Sequence, residues 1–149
     1  MSFVGRRWLR PGLILLAVFA ALPGLWALLA PENFHTDFPG GGRSWVAPLG
    51  AYNEHMVRDF GALNLALAAV LGLAAYYLER RVVDVALIGS LVWQVPHFIF
   101  HVIHADELGN GDAAVQTISL VVVLVITVLL LAINNGGKLL PSLGSPGRP

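Results

Sequence analysis

The stretch SLVWQVPHFIFHVIH, residues 90–104, carries three of the five histidines of this 149-residue chain and closes a long apolar run. At 100° per residue, most of its polar positions and one tryptophan fall within a single stripe of a helix surface. The stripe consists of Ser90, Trp93, Gln94, His97, His101 and His104. The pattern predicts a helix with one polar face, whose remaining surface meets lipid or packed apolar neighbours.

The composition around this stretch indicates an integral membrane protein. Apolar residues make up 56% of the chain and charged residues only 12%, about half the charged fraction of a soluble domain. Runs of about 20 apolar residues match the roughly 30 Å hydrocarbon core of a bilayer. The chain has no cysteine, which excludes disulfides, thiolate metal ligands and a cysteine nucleophile. Nothing in the sequence indicates nucleic-acid binding.

Four apolar runs predict an all-α fold, an antiparallel four-helix bundle that forms a single membrane domain over residues 1–149. The helices are predicted at about residues 12–30, 52–78, 82–104 and 113–134. Residues 31–51 form an outer loop, and residues 135–149, rich in Pro, Gly and Ser, are predicted to be a disordered tail. Pro23 and Gly24 predict a kink in the first helix. The alternative for that helix is a cleaved signal peptide, since it follows a short basic segment.

Charge predicts the orientation of the bundle. The connections that follow the first and third helices lie at one end of the bundle and carry Arg43 and Arg58 against seven acidic residues. The N-terminal segment, the turn at residues 79–84 and the tail carry the other seven basic residues against Glu79 and Asp84. Lys and Arg mark the cytoplasmic side. Both termini are therefore predicted to be cytoplasmic, in a multi-pass protein of the cell membrane, specifically the bacterial inner membrane.

The outer loop is rich in Gly, Pro and aromatic residues. Its GGGR sequence at residues 40–43 is not a phosphate-binding loop, because no Gly-Lys-Ser/Thr follows it. Phe34, Phe38 and Trp45 indicate that the loop either rests on the membrane interface or caps the bundle.

The histidine stripe is the first candidate site. His97, His101 and His104 follow at spacings of four and three, which stack side chains on one helix face as helical metal ligands require. An interfacial position would explain His104. It would not explain His97 on the same face as Gln94 and Trp93, because polar groups at membrane depth usually mark a site.

The start of the second helix is the other candidate. Glu54 with Arg58, and His55 with Asp59, are pairs spaced by four residues. In an antiparallel bundle these residues lie at the level of the histidine stripe and could face it. The alternative is a charged, well-capped helix start. Polar residues of the fourth helix are interpreted as interhelical hydrogen-bonding groups: Gln116, Ser119, Thr127 and Asn134.

Two segments resemble small bacterial four-helix membrane proteins of the DoxX-like kind. They are PENF at residues 31–34, after the first helix, and RDFGALNLALA at residues 58–68, which opens the second. The resemblance extends over the layout of residues 12–134. It implies the same four-span architecture and supplies no assigned reaction, so no catalytic residue is carried over.

Three functions follow as alternatives, and whether the protein is an enzyme stays open. The first is a site for a metal ion or haem near the extracytoplasmic face, with ligands from His55, His97, His101, His104, Asp59 and Glu54. The second is a pocket for a lipid- or quinone-like molecule with the outer loop as a lid and with contacts from the same histidines and from Trp93, Gln94, Asn64 and Arg58. The third is an accessory subunit, with the lipid bilayer and a homo-oligomer or larger membrane complex as its partners.

Overall fold

The computed structural model describes residues 7–136, which are 82% helical. The α-helices are α1 (Leu9–Leu29), α2 (Pro31–Asp37), α3 (Glu54–Tyr77), α4 (Arg80–Ile103) and α5 (Asn110–Asn134). Four of these five are long and apolar enough to cross a membrane, which confirms the prediction of four long apolar helices. Helices α1 and α4 continue through Pro23 and Pro96 without interruption.

The connection between α1 and α3 has more local structure than the sequence predicts. It contains α2, the antiparallel strands β1 (Pro39–Gly40) and β2 (Arg43–Ser44), and a 3₁₀ turn at Ala47–Leu49. Gly41 and Gly42, at φ 68° and 76°, form the hairpin turn in the left-handed region that glycine adopts without strain. Residues 31–51 are called the cap below.

The helices α1 and α3 run antiparallel. Near the start of α1, the Arg10 Nε donates a hydrogen bond to the Ala75 carbonyl at the end of α3, at 3.2 Å. At the opposite end, Arg58 near the start of α3 donates to the carbonyl of Leu28 in the last turn of α1. These two contacts fix the relative direction of the two helices.

The remaining neighbours are antiparallel as well. Only Leu78 and Glu79 separate α3 from α4, so the chain must reverse there. At the end of α5, Asn134 Nδ2 donates to Asp84 Oδ1 near the start of α4, at 2.9 Å. The order of packing around the bundle is α1, α3, α4, α5, and α5 contacts α1 again.

The closest helix crossing joins α1 to α3 at two glycines. A Cβ added at Gly61 would lie 2.8 Å from the carbonyl oxygen of Gly24 and 2.8 Å from the backbone nitrogen of Leu28. Small residues permit such backbone approach between membrane helices. Gly24 and Gly61 therefore allow the backbones of α1 and α3 to come into close contact.

Two apolar cores fill opposite ends of the bundle. The larger, at the end away from the cap, consists of Leu9, Leu13, Leu16, Leu71, Ala74, Ala75, Val83, Ala86, Leu87, Leu130 and Leu131. The smaller lies under the cap, where Phe34 packs with Ala27 and Val57. Phe34 and Trp45 are only 3% and 7% exposed. Of the two alternatives for this loop, the structure therefore shows that its aromatic residues cap the bundle.

The bundle end opposite the cap is held by a buried polar cluster. Asp84 Oδ1 accepts hydrogen bonds from Nδ2 of Asn134 (2.9 Å) and Nδ2 of Asn135 (2.7 Å). Arg80 donates to Asn135 Oδ1 through its Nε and one terminal nitrogen. Asn135 thus belongs to the packed bundle, although the disordered tail is predicted to begin there. The rest of that prediction, residues 137–149, lies outside the described residues.

Candidate functional site

A cavity of about 520 Å³ lies between the cap and the adjacent ends of α3, α4 and α5. It is called the cap cavity. Aromatic side chains of the cap, Phe34, Phe38 and Trp45, form one side of it. Most of the remaining wall is aliphatic or aromatic. The polar side chains that line it from α4 and α5 are His97, His101, Gln116 and Ser119.

Two residues of the stripe on α4, His97 and His101, line this cavity. The rings of Trp93 and His97 stack, with centroids 5.1 Å apart and an interplanar angle of 22°. The ring of His101 meets His97 edge-on at 4.5 Å. His104 instead stacks on Phe100, and its Nδ1 lies 2.8 Å from the Phe100 carbonyl oxygen. The stripe thus divides into residues of the cavity wall and a terminal histidine held by its own helix.

A second cavity, of about 170 Å³, lies deeper among the four long helices. It is called the core cavity. Trp93, Gln94 and Asn64 line it, so three of the predicted pocket residues lie along one space. It shares four lining residues with the cap cavity: Phe60, His97, Ser119 and Leu120. The two cavities are therefore adjacent, with His97 in the wall between them.

Buried polar atoms without a partner cluster around these cavities. Within residues 7–136 they are Ser44 Oγ, Trp45 Nε1, Gln94 Oε1 and His101 Nδ1. Trp45 and His101 line the cap cavity, and Gln94 lines the core cavity. Leaving a buried donor or acceptor unpaired costs about 1–3 kcal/mol.

Four side chains at the start of α3, Glu54, His55, Arg58 and Asp59, do not line the cavities with the histidine stripe, although the sequence suggested that they could face it. His55 pairs with Asp59 at 3.3 Å, and these side chains are 81% and 63% exposed. Glu54 pairs with Arg58 at 2.8 Å on another exposed part of the helix. None of the four lines the cap cavity or the core cavity.

The phase of α3 explains this difference. Asn53, Met56, Val57 and Phe60 line the cap cavity and follow the spacing of one helix face. Glu54, His55, Arg58 and Asp59 therefore lie on other faces. The guanidinium of Arg58 contacts the last turn of α1 through the Leu28 carbonyl. This predicted pocket residue therefore joins two helices, and it lines a separate, more polar surface pocket with Glu54.

The structure gives no support to a metal or haem site. Among the described residues, no group of three or more His, Cys, Asp or Glu side chains is arranged to hold a metal ion. His97 and His101 are close together, but the carboxylates expected to complete the site point away from them. Haem ligation by histidines of α3 and α4 would likewise need His55 on the inner face.

Most polar residues of α5 do not make the interhelical hydrogen bonds that the sequence predicts for them. Ser119 Oγ donates to the Gln116 carbonyl, and Thr127 Oγ1 donates to the Val123 carbonyl, both within the helix. Of the four polar residues, Asn134 makes the interhelical hydrogen bonds shown by the structure. The Gln116 side chain instead lines the cap cavity together with His101.

Other cavity residues were not identified from the sequence. Gln116 and Ser119 were recognised as polar but not as cavity residues, and Phe60, Phe100 and Met56 were not singled out. Asn53, Met56, Val57 and Phe60 carry a signal at spacings of three and four residues. Gln116 and Ser119 carry a weaker one, since two polar residues three apart interrupt an apolar helix.

The wall of the cap cavity carries no formal charge apart from what its histidines can acquire. No Lys, Arg, Asp or Glu is found among its lining residues in the described part of the chain. Comparison with protein-family models finds no match. Comparison with curated proteins and with solved structures finds no significant match either. The two cavities are therefore the basis for inferring function.

Proposed function

We propose that this chain is a multi-pass membrane protein that binds a neutral apolar molecule with a small hydrogen-bonding head group, of the lipid or quinone type. The observation that carries this proposal is the mostly apolar cap cavity, whose polar lining residues are His97, His101, Gln116 and Ser119 from α4 and α5, with His35 and Asn53 at the cap side. Its volume of about 520 Å³ lies within the usual range for ligand pockets, which are mostly apolar with a few polar groups.

The charge of the wall favours a neutral head group. A phosphate or carboxylate moved out of water needs a cationic partner, and its transfer without one is very costly. The described lining of the cavity offers neither Lys nor Arg. Imidazole, amide and hydroxyl groups can instead donate to or accept from a carbonyl or hydroxyl oxygen. A quinone or a neutral glyceride has such oxygens.

The bilayer is the partner that the outer surface of the bundle fits. Large apolar side chains are exposed along all four long helices, among them Leu22, Leu29, Val85, Val92 and Ile118. If such an apolar surface were exposed to water, it would favour aggregation. The distribution of Arg and Lys supports cytoplasmic termini and an extracytoplasmic cap. The proposed location is the bacterial inner membrane.

The DoxX-like kinship is part of this proposal, and the motif residues have structural explanations. Phe34 lines the cap cavity, and Arg58 donates to the end of α1. Gly61 permits the close crossing with Gly24. Motifs with these roles support a shared architecture and assign no reaction.

The binding test compares two histidine variants of the full chain. We expect His97→Ala to weaken binding of decylubiquinone by at least tenfold, because His97 lines both cavities. His55→Ala is the matched control, since His55 is exposed and lines neither cavity. Its affinity is expected to stay within twofold of wild type. The measurement is quenching of tryptophan fluorescence in nanodiscs, for which Trp45 in the cavity wall is the reporter.

Native mass spectrometry of protein extracted gently from membranes distinguishes the two ligand types. A retained quinone or a retained neutral lipid would identify the source and support the proposal. Loss of the adduct in His97→Ala, with retention in His55→Ala, would place it in the cavities. Absence of any adduct, together with no binding of decylubiquinone or monodecanoylglycerol, would contradict the proposal.

A further inference from the structure

We propose that the ligand carries an apolar chain, and that this chain occupies the core cavity while the head group lies in the cap cavity. This inference rests on the proposed function and deepens it, because it states the shape of the ligand. It treats the two cavities as one elongated site with a head-group chamber and a chain chamber. The chain would then approach the bilayer between α1 and α5.

The adjacency of the cavities is the first step. Phe60, His97, Ser119 and Leu120 line both, so no further layer of side chains separates them. The ring centroids of Phe60 and His97 are 6.2 Å apart. A molecule whose head contacts His97 from the cap side can therefore extend past these rings into the core cavity.

The walls of the core cavity favour a hydrocarbon chain. Ser90 Oγ donates to the Ala86 carbonyl (2.8 Å), and Asn64 Nδ2 donates to the Phe60 carbonyl (2.9 Å). These polar side chains thus donate to carbonyl acceptors on their own helices. The remaining wall is mostly aliphatic and aromatic: Leu16, Phe19, Leu67, Leu71, Leu120 and Val123. Apolar cavities of this kind are poor sites for water and bind apolar molecules.

Gln94 is a polar exception in the wall of the core cavity. Its Oε1 is buried without a partner in the described structure, and its side chain lines the core cavity but not the cap cavity. It lies one residue from Trp93 and one helical turn from Ser90 and His97. Polar side chains are thus concentrated on the α4 side of the core cavity, and the α1 side is apolar.

The α1 side also provides a route to the bilayer. Leu16, Phe19, Ala20 and Pro23 line the core cavity from α1, and Phe19 is 50% exposed on the bundle surface. Helix α1 packs far more closely against α3 than against α5. The boundary between α1 and α5 is therefore the place where a chain longer than the core cavity would leave the protein.

The test uses probe pairs that share a head group and differ in the chain. One pair is 2,3-dimethoxy-5-methyl-1,4-benzoquinone and decylubiquinone. The other is monoacetylglycerol and monodecanoylglycerol, so the two pairs separate a quinone source from a lipid source. Ala20→Phe places a large side chain at a position that lines the core cavity. Ala66→Phe is the control, because Ala66 is exposed on α3 and lines neither cavity.

For the pair that binds, we expect Ala20→Phe to weaken the binding of the long-chain probe by at least tenfold. The affinity for the short-chain probe should stay within twofold of the wild-type value. Ala66→Phe should leave both affinities unchanged. Val123→Phe fills the same cavity from α5 and replaces Ala20→Phe if that variant fails to give a monodisperse protein.

Two failures have different meanings in this design. If no probe of either pair binds wild-type protein, the proposed function is overturned and this inference with it. If a probe pair binds and neither cavity-filling variant separates the long chain from the short one, the chain chamber is overturned and the cap-cavity proposal stands. Equal weakening of both members of a pair by Ala20→Phe would also overturn the chain chamber.

Discussion

His97 is the residue of α4 that lines both the cap cavity and the core cavity. Its ring stacks on Trp93, meets His101 edge-on and faces Phe60 across the helix boundary. A spacing of four residues along α4 brings these rings together. His97 can therefore contact both the head group of a ligand and the start of its chain.

Gly61 matters for the stability of the fold. We predict that Gly61→Ala destabilises the fold by about 1–3 kcal/mol, the usual cost of overpacking. The added Cβ would lie 2.8 Å from backbone atoms of Gly24 and Leu28, neither of which can move without shifting α1. The measurement is the thermal unfolding midpoint in detergent, followed by circular dichroism.

Gly72→Ala is the matched control for this prediction. Gly72 lies on the same helix, and a Cβ there meets nothing within 4 Å. Alanine also favours helix over glycine, so the midpoint should be unchanged or slightly higher. Equal destabilisation by both substitutions would show that the glycine crossing is not the cause.

At the scale of elements, the cap is attached to the bundle at a few points. An ion pair joins Arg43 of β2 to Asp112 in the first turn of α5, at 3.2 Å. The side chains are 45% and 31% exposed. Trp45 follows directly, with its ring 6.1 Å from that of Phe38 and its Nε1 unpaired. The cap therefore combines an apolar inner face with one ion pair to α5.

We predict that Asp112→Asn raises the hydrogen-exchange rate of residues 39–46 by at most about fivefold. Partly exposed ion pairs contribute about 0.2–1 kcal/mol, which sets this limit. Mass spectrometry of peptides from the cap measures the change. The double variant Arg43→Asp with Asp112→Arg should restore part of the protection, because it keeps the opposite charges.

Asp106→Asn is the control for the loss of a carboxylate near the cap. Asp106 is exposed and lies in the turn before α5, with no ion pair among those the structure shows. The role of the Arg43–Asp112 pair would be contradicted if Asp106→Asn changed exchange in the cap as much as Asp112→Asn did.

At the scale of the whole molecule, the two bundle ends have different chemistry. The cap end contains the cavities, and the opposite end contains the buried cluster of Asp84, Asn134 and Asn135, to which the exposed Arg80 donates hydrogen bonds. A polar group buried at membrane depth is stabilised by its hydrogen bonds. The cluster therefore anchors the end of α5 to the start of α4, while the cap end retains the space for a ligand.

We predict that the cap end faces outward, and the absence of cysteine makes this directly testable. Single-cysteine variants at Thr36 and Asp106 should react with a membrane-impermeant maleimide on right-side-out vesicles. A cysteine at Glu79 should react only after the vesicles are opened. All three residues are exposed, so access to the reagent depends on membrane side.

Labelling after detergent lysis is the control for intrinsic reactivity at each position. The reverse pattern, with Glu79→Cys labelled from outside, would contradict the orientation. Equal labelling of all three cysteines on sealed vesicles would contradict a membrane-spanning bundle.

Much of the architecture follows from sequence patterns, and the candidate site follows only in part. The four long helices are visible as apolar runs, because a span of this kind is a local property of composition and length. The stripe with His97 and His101 is likewise a local consequence of helical periodicity. The position of His55 could not be predicted this way, since its distance from α4 depends on how far α3 is rotated about its own axis.

The sequence by itself determined four apolar helices, the polar stripe on α4, the asymmetry of charge and the aromatic character of the cap. Each of these depends on the order of residues within one segment. Only the tertiary structure decided that α3 turns Met56 and Phe60 toward the stripe and His55 away from it. The physical reason is that the close approach of Gly24 and Gly61, the contact of Arg58 with Leu28 and the packing of the cap act between segments. These contacts set the rotation of α3, and that rotation leaves two adjacent cavities without a metal-ligand set among the described residues.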